Sequence, residues 1–241
     1  MSTLSKSILP ILAFSCLFVS SITPSGADDA VTQLKVGDRA PVFKSVDDEG
    51  HVWNSTHHVG MTPIVVYFSP GDFKFCSIRQ AQKYQKQIEE LTRYNVQVIG
   101  ISGDSPETHR LFKKIHGFSY TLLSDSHGAI ASKFGVPLRK GSSTPITDMD
   151  GRTKRDSFGK AVKAHRGVTH RRWTFIIGRD GTIIHKNTRV SPVKDCEDVL
   201  EFIKQRSQRK TIQPDSPTSE VEENFGSRHN TKIRVGDFVL P

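Results

Sequence analysis

Tyr67-Phe68-Ser69-Pro70-Gly71-Asp72-Phe73-Lys74-Phe75-Cys76-Ser77-Ile78-Arg79-Gln80 is the stretch that organises the chain. Upstream, the apolar run from Ile64 to Phe68 has no alternation, so it reads as a central strand buried on both faces. Pro70-Gly71-Asp72 then turns the chain. From Gln80 to Tyr94, Ala81, Tyr84, Ile88 and Leu91 recur at helical spacing. Cys76 therefore stands where a strand hands over to a helix. Unpaired backbone N–H groups and the positive end of the helix dipole favour a thiolate at such a place. The competing reading is a small buried hydrophobe, a common role for a free cysteine.

Working outward, Val96 to Ser102 reads as a second buried strand. Ser105-Pro106-Glu107 then starts a helix, with Ser as N-cap, Pro at the first helical position and an acid in the first turn. Tyr120 to Leu123 is a short strand, and Asp125 to Gly128 opens a short helix. On the N-terminal side, Asp47-Asp48-Glu49-Gly50 reads as a hairpin turn. His57-His58 is read as a solvated loop pair, since adjacent side chains do not share a face. Trp173 to Ile177 and Thr182 to Lys186 form a hairpin about Arg179-Asp180-Gly181, and a last helix starts at Ser191-Pro192. Alternating strands and helices predict an α/β fold with a partly parallel central sheet flanked by helices.

Between these parts, residues 136–172 are broken by Pro and Gly and rich in Lys and Arg. They read as one long basic loop, with a helical turn near Lys160-Ala161-Val162. Residues 207–241 are polar and acidic, with an apolar end from Ile233 to Pro241, and read as a largely disordered tail. Residues 1–27 combine Lys6, an apolar stretch from Ile8 to Val19 and the small residues Ser25-Gly26-Ala27. That is the pattern of an export signal cleaved after Ala27, and the expected location is periplasmic or secreted, without stable membrane insertion after cleavage.

The 241 residues are 35% apolar and 24% charged, which suits a soluble globular domain spanning 34–206 between those ends. The net charge of +9 carries no recognisable nucleic-acid motif, so no specific nucleic-acid partner is expected. Without Gly-x-Gly-x-x-Gly or a Walker loop, nucleotide binding is not expected either. Ten scattered histidines give no zinc spacing, so neither metal nor cofactor is expected. Three cysteines, two after cleavage, are too few for a disulfide framework, and the missing Cys-x-x-Cys argues against a disulfide oxidoreductase.

A reactive cysteine needs positive charge beside it. Lys74 and Arg79 are local, and Arg171-Arg172 precede a strand of the same expected sheet. At this point the chain resembles a known family. Lys35 to Phe43, Tyr67 to Cys76, Ile99 to Glu107, Leu122 to Asp125 with Phe134 to Val136, and Arg172 to Gly181 are similar, in order, to the peroxiredoxins, and among them to the bacterioferritin-comigratory or peroxiredoxin Q branch. The resemblance implies a thioredoxin-like fold and a thiol peroxidase that reduces hydrogen peroxide and organic hydroperoxides. It implies Cys76 as peroxidatic thiolate, Pro70 as its shield and Arg172 as the cation that stabilises it, with Arg171 the alternative in register. An external thiol or thioredoxin-like protein would be the reductant, and the molecule would be a monomer or homodimer.

Two departures stand out. The family pattern is Pro-x-x-x-Thr-x-x-Cys, whereas here the loop from Pro70 to Cys76 is one residue shorter and Lys74 replaces the Thr. Many members of the branch carry a resolving cysteine where this chain has Ala81, leaving Cys196 as the one candidate partner for Cys76. A single-cysteine mechanism is the first reading and a Cys76–Cys196 disulfide the second. The alternative function is a catalytically weakened redox sensor or binding protein on the same fold.

Overall fold

A computed structural model describes residues 34–212. The strands are β1 (Lys44–Asp47), β2 (Val52–Asn54), β3 (Ile64–Phe68), β4 (Gln97–Ser102), β5 (Thr121–Ser124), β6 (Leu138–Lys140), β7 (Ser143–Pro145), β8 (Lys163–His165), β9 (Val168–His170), β10 (Trp173–Ile177) and β11 (Ile183–Asn187). The α-helices are α1 (Phe75–Lys86), α2 (Ile88–Arg93), α3 (Pro106–His116), α4 (Ala129–Lys133) and α5 (Asp195–Ile212). The seven-stranded sheet runs β11-β10-β3-β4-β5-β1-β2. Within it β3, β4 and β5 are parallel, and the remaining pairings are antiparallel. The expected mixed α/β sheet, flanked by helices, is what forms.

β3 sits inside because its two faces both find cover. Val65 and Tyr67 join Ala81 and Tyr84 of α1 and Cys196, Val199 and Ile203 of α5 in one core layer. Ile64, Val66 and Phe68 face Trp53, Ile130 and Phe134 in the other. This is the period of two expected of a strand, hidden in the sequence because both sets are apolar. Each such buried side chain contributes roughly 1.5–3 kcal/mol. Loss of one is felt across the whole sheet.

Helix α3 begins as its sequence says: Ser105 Oγ accepts the Thr108 N–H, Pro106 is first, and Gly117 closes it in the left-handed conformation (φ 71°). Asp47 Oδ1 accepts the N–H groups of Glu49 and His51 in the β1–β2 hairpin. Four expectations change. The segment Gln80–Tyr94 is two helices that meet at Gln87, and the first starts upstream at Phe75, so Cys76 lies inside a helix. The last helix starts at Asp195, not Ser191, and continues to Ile212, past the expected end of the domain at 206 and into the stretch read as tail. His57 is exposed in a short 3-10 turn, while His58 stacks on Trp53 at 4.3 Å between ring centres. The export signal, its cleavage after Ala27 and the tail beyond Ile212 lie outside the described residues.

The fourth change concerns 136–172. It is a paired β arm: β6 with β9, β7 with β8, and further bridges Thr147–Thr153 and Arg155–Ala161. No helical turn forms at Lys160-Ala161-Val162; that stretch pairs as extended chain. The cause is turn chemistry. Asp148 accepts from the N–H of Asp150 and Arg152, and Asp156 accepts from Phe158 and Lys160, repeating the Asp47 turn and sending the chain back on itself twice.

Candidate active site

The antiparallel register pairs Trp173 with Phe68. Arg172 therefore enters the sheet beside Ser69, where β3 leaves for the Cys76 loop. Side chains alternate across a strand. Thr174 and Ile176 face α1 and α5, since Thr174 bonds Asp195 and Ile176 belongs to their core layer. Arg172 shares that face, and Arg171 falls on the other side, exposed. Register thus puts Arg172, and not Arg171, on the side of α1.

Arg172 Nη1 donates to Gln80 Oε1, and Nη2 donates to Ser77 Oγ at 3.4 Å, both on the helix that carries Cys76. Burial holds the Arg172 guanidinium below its ordinary range, while the nearby Cys76 works in the opposite direction. Gln80 is fully buried, and its Nε2 donates to Asp195 Oδ2 at 2.7 Å. Tyr84 and Thr174 donate to the same oxygen at 2.7 and 2.9 Å. Burial raises the Asp195 carboxyl, and those three donors pull it back toward ionisation. The chain of contacts Asp195–Gln80–Arg172 orients the amide of Gln80 so that its oxygen faces the cation.

Cys76 is exposed, in the first turn of α1. Lys74 occupies the N-cap position in extended conformation (φ −74°, ψ 133°) and makes no side-chain cap. A Thr there would supply a capping hydroxyl, worth about 1 kcal/mol. Lys74 supplies charge instead. Its ammonium is shifted downward first by burial and then by Arg166 and Arg172, so two further cations lie within electrostatic reach of Lys74 at this helix end. Pro70 is half-buried, and Arg79 lies 5.4 Å from the centre of the exposed Phe75 ring beside Cys76.

The loop itself is tied from behind. Ser69 Oγ donates to Ser77 Oγ at 2.9 Å. The Asp72 N–H donates to Asp104 Oδ2 at 2.8 Å, and Asp72 Oδ2 meets His109 Nδ1 at 2.7 Å. Phe73 takes a positive φ of 59°, unusual for a non-glycine, and its ring is buried against Phe112 at 5.0 Å. Burial opposes charge on His109, but Asp72 and Asp104 outweigh it and move the imidazole upward.

Cys196 is fully buried in the α1–α5 core layer, and burial, then Asp195 and Glu197, push its thiol up to about 12. Among the described residues, Cys76 and Cys196 are both free thiols. Placement in the core keeps Cys196 from the surface on which Cys76 opens. Gln80, Ser77 and Asp195 escape a sequence reading: a Gln and a Ser in a polar helix look solvated, and an acid before Cys196 looks like a helix-start preference. Among the described residues no group of three or more His, Cys, Asp or Glu side chains is placed to hold a metal ion, and no helix is long and apolar enough to cross a membrane. A cavity of about 750 Å³ lined by Pro63, Ile184 and Phe202 lies at the opposite end of β3, away from this chemistry.

Comparison with known proteins bears on the family and the fold. Residues 36–186 match the model of the AhpC/TSA family. A chloroplastic peroxiredoxin Q from Gentiana triflora is 29% identical over 172 residues, covering 71% of this chain and 67% of that protein. Among solved structures, a PrxQ variant from Xylella fastidiosa superposes with a TM-score of 0.58 at 20% identity, covering 72% of this chain and 98% of that one. The bacterioferritin comigratory protein of Xanthomonas campestris gives 0.55 at 20% identity, over 72% of this chain and 98% of that one. The fold is thus the thioredoxin-like fold of these proteins.

Proposed function

The chain belongs to the AhpC/TSA family and is a peroxiredoxin-type, thiol-dependent peroxidase; on that premise we propose that Cys76 is its peroxidatic residue, acting as a thiolate. The Cys76 sulfur attacks the terminal oxygen of a hydroperoxide. The O–O bond breaks, the leaving oxygen departs as water or alcohol with a proton, and sulfenic acid remains on Cys76. Charge builds on the departing oxygen, and Arg172, held by Gln80 and Ser77, is a preorganised donor for it. Pro70, half-buried in the turn before α1, takes the shielding role that the resemblance implies. Lys74 adds a second cation at the helix end where a hydroxyl is missing. An external thiol then attacks the sulfenic sulfur, expels water and leaves a mixed disulfide that a second thiol resolves. Burial of Cys196 supports this single-cysteine cycle over a Cys76–Cys196 disulfide.

The observation that carries the reading is Arg172 bonded to the very helix that presents Cys76. The reported subject of the Xanthomonas structure is alkyl peroxide reduction. The exposed Phe75 beside Cys76 supports organic hydroperoxides, alongside hydrogen peroxide, as substrates here. The export pattern of 1–27 supports work outside the cytoplasm, with Asp28 as the mature N-terminus. The decisive experiment follows peroxide consumption with a small dithiol as reductant. Cys76→Ser should lose turnover and sulfenic acid trapping together, while Cys196→Ser keeps turnover. Parental turnover by Cys76→Ser would overturn the assignment.

A further inference from the structure

Arg166 belongs to the arm, just beyond β8, yet its guanidinium is buried under the Cys76 loop with its side chain fully shielded. Nε donates to Asp104 at 3.0 and 3.2 Å. Nη1 donates to Ser142 Oγ at 3.1 Å and Thr144 Oγ1 at 2.9 Å, the first just before β7 and the second on it. Nη2 donates to the carbonyl oxygen of Asp72 at 3.1 Å, within the loop itself. One planar fork therefore joins three parts that are remote in sequence: the arm, the turn after β4 and the loop before Cys76.

The surroundings are shaped to admit it. A Cβ at Gly71 would lie 2.1 Å from Arg166 Nε, and Gly71 has φ 133°, so only glycine lets the guanidinium pass. Asp104 also accepts from the Asp72 N–H and from Ser102 Oγ, so its carboxylate serves loop and arm at once. The loop is one residue shorter than the Pro-x-x-x-Thr-x-x-Cys pattern and lacks a capping hydroxyl at Lys74.

We propose that Arg166 is a positioning residue for the thiol chemistry, by which the basic arm clamps the shortened loop and sets where Cys76 stands relative to Arg172. This rests on Cys76 as the reactive thiol. Arg166 touches neither sulfur nor peroxide. It acts through the Asp72 carbonyl, and the Gly71-Asp72-Phe73 turn leads directly into the first turn of α1. The positive φ at Phe73 shows a turn held in a conformation its own residue does not favour, which requires restraint from outside.

The test is Arg166→Lys in the full mature chain. Lysine keeps a positive charge against Asp104 but cannot reproduce the fork to Asp72, Ser142 and Thr144. A small misplacement of reacting groups costs up to about a hundredfold, so kcat/KM for hydrogen peroxide should fall roughly ten- to hundredfold. The rate of Cys76 alkylation by iodoacetamide should fall at fixed pH, with its pH profile displaced toward alkali. A purely structural role would lower Tm and leave both readouts of the folded protein unchanged, and that result overturns the proposal. If Arg166→Lys does not fold, Ser142→Ala with Thr144→Val decides by the same two readouts: it cuts only the arm side of the fork and should weaken both in the same direction. Parental values there overturn it. Should the parent itself fail to turn over peroxide, the peroxidase reading fails, while alkylation still judges the role of Arg166.

Discussion

Replacing Gln80 by Leu tests whether Arg172 is held by the fold or finds its own place. Gln80 is fully buried and makes two bonds in opposite directions, Nε2 to Asp195 Oδ2 at 2.7 Å and Oε1 from Arg172 Nη1. Leucine fills the space and makes neither. Asp195 keeps Tyr84 and Thr174 as donors, so its carboxylate loses one bond of three. A hydrogen bond to a charged group is worth roughly 1.5–3 kcal/mol. At about 2–4 °C per kcal/mol for a domain of this size, Tm should drop by roughly 3–12 °C. Arg172 is left with Ser77 Oγ at 3.4 Å, a contact at the edge of hydrogen-bond range. Its guanidinium then samples several directions, and kcat/KM for peroxide should fall by about tenfold, or ~1.4 kcal/mol of transition-state stabilisation. The assay is initial peroxide consumption at subsaturating substrate, with Tm measured on the same sample. Gln80→Leu added to Arg172→Lys should cost little more, because the group it orients has already changed. A folded Gln80→Leu protein with the parental kcat/KM would show that Asp195 and Gln80 do not orient Arg172, and the relay argument would be wrong.

Protein lacking residues 1–27, which carry Cys16, should take one alkyl group from iodoacetamide at pH 8, at Cys76, because Cys196 is buried and its thiol is pushed up to about 12; two groups at equal rates would contradict that placement. The same thiol gives an alkaline signature: its folded value stands above the ordinary 9.0, so the folded state holds the proton longer. Stability from this group is present below pH 9 and falls between pH 9 and about 12, at up to ~1.4 kcal/mol per pH unit; Cys196→Ala should flatten that slope in chemical denaturation. His109 is raised against burial by Asp72 and Asp104, so its contribution is complete below the ordinary value of 6.5 and is lost as pH climbs through the higher folded value. His109→Gln should remove that step from the stability profile, and an unchanged profile would refute it. Gly71→Ala forces a Cβ to 2.1 Å from Arg166 Nε and should cost about 2–4 kcal/mol from strain and the displaced fork; parental stability would show that the loop repacks freely.

Much of the architecture was legible because local and global signals agree. The run Ile64–Phe68 is apolar throughout, so it can only be a strand covered on both sides, and Ser105-Pro106-Glu107 caps a helix by chemistry that works in any context. The arm reads as a loop in the sequence because basic, Gly-rich sequence looks unstructured. Its Asp148 and Asp156 turns carry the same Asp-x-x-Gly pattern as the Asp47 hairpin, which the sequence does show. The start of α1 was placed late because the exposed Phe75 and the polar residues after it hide the helical period.

Beside what the resemblance adds, a loop one residue short of the family pattern and without its Thr, the sequence by itself determined that Cys76 sits between a buried strand and a helix and that an arginine pair precedes a strand of the same sheet. Those facts are local: they depend on residue types and spacing along the chain. The tertiary structure shows where the two arginines go: the Trp173–Phe68 register sends Arg172 to the helix side and Arg171 away. It alone buried Cys196, and it alone brought Gln80, Asp195 and Arg166 to the site. These are pairings across long sequence separations, and a polar side chain shows no mark in the sequence of whether its partner is water or a buried carboxylate.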